Sequence, residues 1–503
     1  MTQRIRRIIV VGGGDSGLLT ALAIRKLNPD LDIRVIDDFE EEIPQIGKST
    51  YWRILNILHD QLGIDMSRFI KQVKPVWKCS VYFRDWCGYP EFHFPFDIST
   101  KFPSKNTPKA VEYYQYEYLS PNMEPPRYTK NEEIVVQRKS PWVYDPKSSR
   151  TQLYRPVAYH LNLNRFNNFL RDICKERGIR LINDRIAEVE TDGSEIEAVS
   201  GNQTYNSDLY IDASGFRRIL KREQQNNFTD FSFPLDTAFA LKVDRSLQEV
   251  IPATIVETGN YGWFWQIDTY EHRDIGYVFS SSHVSNTQAR TELVDYCGTN
   301  ILNDDISYFE FTSGFYDIAW ESNCVAIGNA GGFVEPLQST GLTTNAIAAI
   351  NLSNLIAAHG GINNQAIRNY YNTWSQHTWE SIRDFIVTHY RYSSGQSKFW
   401  KMMQSLEASP RVNLLEREFK QGGFDTNVLP PTRLEKHITD PMIFHPVSFY
   451  LLMRNMGVES DFHESNDLRI SREVRNERDN HYKKIRGDVQ YYLTTEEFYK
   501  TFV

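Results

Sequence analysis

The sequence predicts an α/β protein with a Rossmann-like dinucleotide-binding domain, an adjoining antiparallel sheet and a mainly helical C-terminal lobe. Three observations predict this class. An apolar run at residues 8–11 ends in a glycine turn, residues 235–320 contain short segments typical of antiparallel strands, and the chain is mainly helical from Thr340 to about 405. We therefore expect a large domain, residues 1–385, followed by a helical lobe, residues 386–503.

The N-terminal region has the pattern of a strand, a helix and a second strand. Residues 8–11 are all aliphatic, as in a buried parallel strand. Residues 16–27 carry apolar side chains at helical spacing, and Asn28-Pro29-Asp30 ends that helix. Residues 31–36 then predict a second strand that finishes at Asp37.

The turn between the first strand and the helix predicts a dinucleotide site. Gly12 permits a tight turn, Gly14 lets the backbone approach a pyrophosphate, and Gly17 lets helix and strand pack closely. Ser16 lies at the start of the helix, whose N-terminus favours phosphate. Asp37 is placed to accept hydrogen bonds from an adenosine ribose. The alternative is a glycine turn used only for packing.

The remaining elements are less regular. Residues 98–150 are rich in Pro, Tyr, Lys and Ser, and we interpret them as a long surface-exposed insertion. Tyr159 to Arg177 predicts a helix, and residues 209–215 predict a strand that runs into a glycine turn. About the last hundred residues are charged and irregular, except for a helix predicted from Pro446 to Met456.

Composition excludes several functional classes. The net charge is −8 and the basic residues are dispersed, which argues against nucleic-acid binding. The five cysteines have neither disulfide-framework nor metal-ligand spacing, so we expect no metal site and a cytoplasmic setting. No apolar run approaches the ~20 residues of a membrane span, and the N-terminus lacks a signal-peptide pattern, so we expect no membrane association.

Three further segments carry residues suited to chemistry. In residues 262–268 two tryptophans lie two positions apart, on one face of a strand, and residues 76–86 contain a lysine within a strand-like run. Residues 328–341 lead into a helix whose first N–H groups suit an anion. From the residues alone, a packed core, a solvated lysine and a capped turn are the simpler interpretations.

Together these segments resemble the flavin-dependent halogenases of the tryptophan-halogenase family over most of the first 400 residues. Residues 262–268 resemble the signature Gly-Trp-x-Trp-x-Ile-Pro, with Asp268 in place of proline. Residues 333–341 match Phe-Val-x-Pro-Leu-Glu-Ser-Thr-Gly, with Gln338 in place of glutamate. Lys78 lies in a segment similar to Phe-Lys-(x)3–4-Phe-x-x-Trp.

The resemblance implies FAD, bound as FADH2, in a fold of the flavoprotein monooxygenase type. The implied flavin-contacting segments are about 8–50, 155–220 and 320–350. Asn329 stands where an Asp usually meets the ribityl chain. The implied cofactor-binding residues are Gly12, Gly14, Ser16, Gly17, Asp37, Ser49, Thr50, Asp212, Gly215, Gly328, Asn329 and Phe333.

Residues 47–50 read Gly-Lys-Ser-Thr but do not form a phosphate-binding P-loop, because that pattern needs glycine where this chain has Glu42. The segment resembles the family's Gly-Glu-Ser/Ala-Thr loop beside the flavin. Here Lys48 replaces the glutamate and the loop is about two residues shorter.

The resemblance also assigns catalytic roles. Lys78 would hydrogen-bond hypohalous acid or become a haloamine, and Lys74 is the competing candidate. Gln338 stands at the family's catalytic glutamate but cannot take up a proton. Either it only positions the oxidant, or neighbouring Glu335 assumes part of the role.

The halide and the substrate have implied sites as well. Halide would bind at the N–H groups of Thr340 and Gly341, behind a wall formed by Trp263 and Trp265 that separates flavin from substrate. The segment with Phe92, His93, Phe94 and Phe96 is similar to the substrate-stacking segment. The substrate would be an indole or another electron-rich aromatic, not necessarily free tryptophan.

The remaining expectations concern partners, co-substrates and alternative functions. A separate flavin reductase would supply FADH2, with O2 and halide as co-substrates, and a homodimer is the commonest assembly of soluble oligomers. Residues 382–390 also resemble a family segment, which we interpret as a structural helix. The alternatives are a flavin hydroxylase or epoxidase on the same fold, and a non-catalytic FAD-binding protein.

Overall fold

The computed structural model describes most of the chain. The described residues are 4–41, 47–89, 91–97, 129–145, 150–223, 227–298, 306–359, 364–421, 441, 443–460 and 472–503. They form two large sheets and four small ones, with helices packed around them. The predicted combination of a Rossmann-like domain, an antiparallel sheet and a helical C-terminal lobe is confirmed.

The first large sheet is the nucleotide-binding sheet. Five of its strands are parallel and the sixth pairs antiparallel at one edge. Residues 8–11 are fully or almost fully buried, as their uninterrupted apolar run predicted. In spatial order its strands are Arg180–Asn183, Asp32–Asp37, Arg7–Val11, Leu209–Asp212, Cys324–Ala326 and Trp320–Glu321.

The second large sheet is the antiparallel sheet predicted within residues 235–320, extended by two strands from earlier in the chain. One pair, between Ala253–Thr258 and Ser80–Phe83, is parallel, and the other pairs are antiparallel. Its strands in spatial order are Ser307–Glu310, Thr237–Asp244, His272–Phe279, Gly262–Asp268, Ala253–Thr258, Ser80–Phe83 and Phe92–Pro95.

Four three-stranded sheets complete the β structure. One of them places Gly47–Ser49 and Val76–Lys78 on either side of Ala158–Asn162. The other three sheets are Glu188–Asp192, Glu195–Ser200 and Thr204–Tyr205; Phe228–Asp230, Gly314–Tyr316 and Gly332–Phe333; and Tyr492–Thr494, Lys139–Asp145 and Arg150–Leu153.

The helices pack mainly between and around these sheets. No helix in the described ranges is long and apolar enough to cross a membrane. The α-helices are Asp15–Leu27, Met66–Val73, Lys130–Val136, Leu163–Glu176, Asn286–Cys297, Gly341–His359, Gln365–Arg391, Lys398–Gln404, Pro410–Lys420, Pro446–Asn455, Arg472–Val489 and Thr495–Phe502. Asn56–Gln61 is π-helical, and Gly215–Arg217, Lys221–Glu223, Leu247–Glu249 and Gly328–Ala330 are 3-10 turns.

Two sequence-based expectations for the first half of the chain need correction. The predicted helix from Tyr159 begins only at Leu163, because Ala158–Asn162 is a strand paired on both edges. Residues 98–128 and 146–149 of the predicted insertion lie outside the described residues. The described part contains the helix Lys130–Val136, which a capping box at Thr129 starts and which buries Ile134, so it is not an irregular surface segment.

The C-terminal lobe is more helical than its charged composition suggested. The helix predicted from Pro446 is present and ends at Asn455, and other helices accompany it. The sequence did not predict these helices, because their apolar faces are short and widely spaced in sequence. The boundary expected after residue 385 falls inside the continuous helix Gln365–Arg391. A division of the chain there would cut that helix, and the domain division stays a prediction.

Candidate active site

The glycine turn leaves open space where a pyrophosphate is expected. A Cβ on Gly12 would lie 2.4 Å from the Ala213 carbonyl oxygen, and a Cβ on Gly17 would lie 1.9 Å from the Gly12 oxygen. Both positions therefore require glycine for packing. A Cβ on Gly14 would meet nothing within 4 Å, although Gly14 directly precedes the helix N-terminus. This space and the free N–H groups of the first turn fit the pyrophosphate of FAD.

Asp37 and Ser16 join the turn to its surroundings. The Gly13 N–H donates to Asp37 Oδ2 at 2.7 Å, and Arg217 lies 3.2 Å from Asp37 Oδ1. Two carboxylate oxygens with these partners still have lone pairs for a ribose. Ser16 Oγ accepts from the Asn345 amide at 2.8 Å, which ties the first helix to Gly341–His359.

The loop after Leu209–Asp212 is organised by its own aspartate. The fully buried Asp212 carboxylate accepts from the backbone N–H groups of Ser214, Leu220 and Lys221 and from Ser214 Oγ. Gly215 follows with φ +67°, a conformation that side chains rarely adopt. Asp212 therefore holds this loop in shape, and any nucleotide contact would come from the loop's backbone.

The third glycine stretch approaches the first. A Cβ on Gly328 would lie 2.7 Å from Ser16 Oγ, so Gly328 lets the two stretches converge. Asn329 is half-buried within the turn Gly328–Ala330. Phe333 is half-buried, with its ring centroid 5.2 Å from that of Phe216. The predicted cofactor residues at 12–17, 212–215 and 328–329 thus gather at the carboxyl ends of adjacent parallel strands.

In the Gly-Lys-Ser-Thr loop, two side chains contact other parts of the protein. Ser49 Oγ lies 2.8 Å from Thr254 Oγ1. Thr50 Oγ1 donates to the Tyr159 oxygen at 2.8 Å and accepts from the Tyr159 N–H at 2.9 Å. Both side chains therefore already have partners within the protein.

Lys78 is fully buried at the end of Val76–Lys78. Its Nζ has no hydrogen-bond partner among the described residues and lies 5.3 Å from the Phe96 ring centroid. Burial lowers the pKa of Lys78 well below its usual range, because a buried ammonium is poorly solvated. Lys74 differs, since it is only half-buried, caps a helix at φ 51° and places its Nζ 4.5 Å from the Tyr270 ring centroid.

A hydrogen-bonded chain from His160 to Ser49 begins on the strand that pairs with Val76–Lys78. His160 Nδ1 lies 3.2 Å from the Asp268 carbonyl oxygen, which can only accept, so Nδ1 carries the proton. His160 Nε2 therefore accepts from Thr254 Oγ1 at 2.9 Å, and Thr254 in turn accepts from Ser49. Burial and the nearby Lys78 lower the pKa of His160 well below its usual range, so its ring is neutral at neutral pH.

Aromatic rings form a cluster next to Lys78. Phe96 lies 5.3 Å from Tyr51, and Tyr51 lies 5.3 Å from Phe444 (ring centroids). Phe444 stacks on Phe385 at 3.9 Å, and Phe94 lies 5.2 Å from Phe385. Two of the predicted substrate-segment residues, Phe94 and Phe96, therefore border one apolar cluster with Lys78.

The other two substrate-segment residues contact different neighbours. Phe92 stacks on Phe83 with centroids 4.7 Å apart. His93 stacks on Tyr82 at 4.4 Å and lies on the opposite strand face from Phe92 and Phe94, because side chains alternate along a strand. The structure therefore does not bring His93 to the Lys78 side of this strand.

Gln338 lies in the turn before Gly341–His359 and is fully buried. Its Nε2 is 2.7 Å from His389 Nε2, and its Oε1 has no hydrogen-bond partner among the described residues. His389 also contacts the cluster, with its ring 4.8 Å from that of Phe385.

Glu335 is a buried carboxyl group of the same turn. Its Oε2 accepts from the Tyr390 hydroxyl at 3.0 Å and its Oε1 accepts from the Leu337 N–H at 3.1 Å. Burial raises the pKa of Glu335 to about 8, although both hydrogen bonds and, more weakly, the indole of Trp263 oppose that shift. Glu335 can therefore exchange a proton near neutral pH, which Gln338 cannot.

Trp263 and Trp265 lie on one face of Gly262–Asp268, as predicted. They belong to the main hydrophobic core, whereas Phe264 between them packs on the other face, against Tyr277. Asp268, which replaces the family's proline, is buried and accepts from the Ile251 N–H and from Arg273. The buried Asp268 carboxylate, which stands where the family has proline, therefore has hydrogen-bond partners.

The predicted halide residues begin a helix. Thr340 is buried, and Gly341 is the first residue of Gly341–His359. The preceding residue, Ser339, has φ +56°, which turns the chain sharply into the helix. A Cβ on Gly341 would meet nothing within 4 Å, so its backbone borders open space. These features fit a small anion.

Comparison with known proteins decides the family. The tryptophan halogenase family model matches residues 7–467. This chain belongs to the tryptophan halogenase family. The tryptophan 7-halogenase RebH of Lentzea aerocolonigenes is 26% identical over 432 residues, which cover 81% of this chain and 80% of RebH.

Two solved structures are similar throughout. MibH, a lathipeptide tryptophan 5-halogenase, has a TM-score of 0.82 at 25% identity, covering 98% of this chain and 92% of MibH. BrvH, a flavin-dependent halogenase from Brevundimonas sp. BAL3, has a TM-score of 0.83 at 23% identity, covering 99% of each chain. The resemblance read from the sequence is confirmed at the level of family and fold.

Sequence reasoning missed part of the site. The interpretation of residues 382–390 as a structural helix is incomplete, because His389 and Tyr390 contact Gln338 and Glu335. The sequence signals only the burial of His389, which lies seven residues after Ile382 on the same helix stripe, and not its partner. No group of residues suited to a metal ion occurs in the part of the chain that the structure describes.

Proposed function

We propose that this protein is an FADH2- and O2-dependent halogenase. It oxidises chloride, bromide or iodide to hypohalous acid and transfers the halogen to an electron-rich aromatic such as an indole. The observation that carries this proposal is the fully buried Lys78 amine, without a hydrogen-bond partner among the described residues and next to an aromatic cluster.

The bound flavin would supply the oxidation, because reduced FAD and O2 together provide the two-electron oxidant that halide needs. The residues that would hold it are those of the glycine turn, Asp37, the loop after Asp212 and the turn at Gly328. A separate flavin reductase is the source of FADH2 in this proposal.

The turn after Glu335 would hold the halide. The backbone N–H groups of Thr340 and Gly341 point from a helix N-terminus, where an anion is favoured. Trp263 and Trp265 form an apolar wall on the substrate side. That wall keeps a bulky aromatic away from the flavin and leaves halide as the small reactant that can reach the oxidant.

Lys78 would deliver the halogen. Burial lowers the pKa of Lys78 and so favours the neutral amine, whose lone pair can attack hypohalous acid. In that step an N–halogen bond forms, the O–halogen bond breaks, and water leaves with the amine proton. The aromatic carbon then takes the halogen and its proton returns to the amine. The alternative within the proposal is that Lys78 only hydrogen-bonds hypohalous acid and orients it.

The aromatic cluster supports a planar substrate. Phe94 and Phe96 offer ring faces and edges beside Lys78, and indole stacks well on such side chains. RebH and MibH are tryptophan halogenases, and we propose an indole for this chain on that basis. A cytoplasmic setting and a homodimer stay predictions.

The test is product analysis by mass spectrometry. A panel of indoles and phenols is incubated with the protein, FAD, a flavin reductase and NADH, with chloride, bromide or iodide in separate reactions. Catalase and Lys78→Ala serve as controls against free oxidant.

We expect a halogenated product that requires halide and Lys78. An oxygenated product that forms without halide would overturn the proposal in favour of the hydroxylase or epoxidase. Bound FAD that is never turned over with the reductase present would indicate the non-catalytic alternative.

A further inference from the structure

Gln338 and His389 form a buried pair whose hydrogen-bond direction can be derived. Their Nε2 atoms are 2.7 Å apart, and both side chains are fully buried. A histidine nitrogen can donate or accept, depending on which ring nitrogen carries the proton. The direction therefore depends on the second partner of His389.

The second partner is a carbonyl group, which fixes the tautomer. His389 Nδ1 lies 2.8 Å from the Phe385 oxygen, and a carbonyl oxygen can only accept. Nδ1 must carry a proton. Burial lowers the pKa of His389 to about 3, so the ring is neutral at neutral pH and its Nε2 bears a lone pair. The atom of Gln338 that faces Nε2 must then be the amide nitrogen, as a donor.

Because Gln338 Nε2 donates to His389, the Gln338 carbonyl oxygen must point away from that histidine. Gln338 Oε1 is left as a buried acceptor without a partner among the described residues. An unpaired buried acceptor is costly, so its free lone pairs indicate a donor that arrives with the reactants. Lys78 Nζ, a buried group that can donate, is likewise without a partner. A hypohalous acid O–H and an amine N–H are both donors of the required kind.

We propose that His389 is a positioning residue that holds the Gln338 amide in one orientation, with its carbonyl oxygen available to the reacting partner. This inference rests on the proposed halogenase function and deepens it. The two oxygens of a glutamate are equivalent, so a glutamate at this position would offer an acceptor in either orientation. Glutamine has one oxygen, and an amide flip would present N–H groups instead. Because Gln338 replaces the family's glutamate, the presence of an acceptor at this position depends on the amide orientation that His389 holds.

The first test measures the tautomer without any turnover. Proton–nitrogen correlation spectra of protein labelled with 15N-histidine report which ring nitrogen is protonated, and the signal missing from His389→Gln identifies His389. We expect a neutral ring protonated at Nδ1 that does not titrate between about pH 6 and 9. A ring protonated at Nε2, or a charged ring in that range, would overturn the proposal even if the protein is an active halogenase.

The second test compares two substitutions of His389. His389→Gln keeps an acceptor for the Gln338 amide, whereas His389→Leu removes it. We expect His389→Leu to lower halogenated product per FADH2 oxidised by about tenfold, through kcat rather than KM, and His389→Gln to retain most of the activity. Thr388→Val is the matched control, because the buried Thr388 hydroxyl donates only to the Asp384 oxygen of its own helix.

A double-mutant cycle separates positioning from folding. In a Gln338→Leu background the orientation no longer matters, so His389→Leu should cause no further loss. Equal losses for His389→Gln and His389→Leu, or additive losses in the cycle, would show a merely structural role and overturn the proposal. If the wild-type protein made no halogenated product, the proposed function would fail, and the tautomer measurement would still decide the orientation.

Discussion

Lys48 Nζ lies 2.5 Å from Asp15 Oδ2, across the turn where the dinucleotide phosphates are expected. Asp15 is the first residue of Asp15–Leu27 and is nearly buried, with 9% of its side chain exposed. A carboxylate at a helix N-terminus is favoured by the helix dipole but repels a pyrophosphate at the same place. Lys48, which replaces the family's glutamate, thus compensates the negative charge of Asp15 at the glycine turn.

Removing the lysine should weaken flavin binding. In Lys48→Met, Asp15 keeps its charge without a counterion, so we expect FAD to bind about five- to tenfold more weakly. Asp15→Asn in the same protein removes the repulsion and should restore most of the affinity. Titration of FAD fluorescence at low and at moderate salt measures both effects. If the double variant bound FAD as weakly as Lys48→Met, Lys48 would act on the cofactor directly and not through Asp15.

The two candidate lysines can be separated by matched substitutions. Lys78→Met places an unbranched apolar chain in a buried apolar space, so we expect little loss of stability and at least a hundredfold loss of halogenated product. The rate at which the protein oxidises FADH2 should stay within about twofold. Lys74→Met, at the cap of Met66–Val73, should keep product formation within about threefold. Product analysis with a coupled reductase checks both, and the opposite ranking would move the catalytic role to Lys74.

Local patterns predicted the parts of the fold that have strong periodicity. The parallel strand at residues 8–11 and the helix from Pro446 carry uninterrupted or regularly spaced apolar residues. The strand Ala158–Asn162 could not be predicted this way, because its residues are as compatible with a helix and its pairing partners come from distant segments. Helix Lys130–Val136 is short and depends on contacts with distant residues.

The candidate site was predictable where a motif names a residue, as for Lys78 and the turn at residues 333–341. It was not predictable where two distant segments meet. Lys48 looked like a plain departure from the family, and only the structure pairs it with Asp15. His389 looked structural, because no single-sequence pattern places a helix residue against Gln338, 51 positions away.

The Glu335 carboxyl should make stability depend on pH. Its pKa is about 8 in the folded protein and near 4.5 when exposed, so between these values the folded state binds a proton that the unfolded state does not. This contribution is fully present below about pH 4.5 and is lost as pH rises through about 8. Glu335→Gln removes it, so the wild type should lose stability relative to the variant by up to about 1.4 kcal/mol per pH unit across that window.

Urea unfolding of both proteins from about pH 5 to 9 measures this difference. Groups common to both chains cancel in the comparison, including His389, whose lowered pKa acts in the opposite direction and at lower pH. Parallel stability curves for the two proteins would contradict a raised pKa of Glu335. Tyr390→Phe removes the hydroxyl that donates to Glu335 and so should raise the pKa of Glu335 further, which extends the pH dependence to higher pH without changing its slope.

Gly276 determines where the Trp265 indole lies. The two residues are cross-strand neighbours, and a Cβ on Gly276 would lie 2.2 Å from Trp265 Cε2. Gly276→Ala should therefore displace the ring, lower the free energy of unfolding by about 1–3 kcal/mol and open the proposed wall. An open wall would release hypohalous acid, so more of the oxidant should reach a small diffusible halogen acceptor added to the assay.

The steric origin of this effect can be isolated. In Trp265→Leu the indole atoms that meet the new Cβ are absent, so adding Gly276→Ala should cost little further stability. Gly487→Ala is the control, because a Cβ there meets nothing within 4 Å and the residue lies in the helix Arg472–Val489, where alanine is favoured over glycine. Equal destabilisation by Gly276→Ala in both backgrounds would place the strain in the backbone of His272–Phe279 and not in the tryptophan wall.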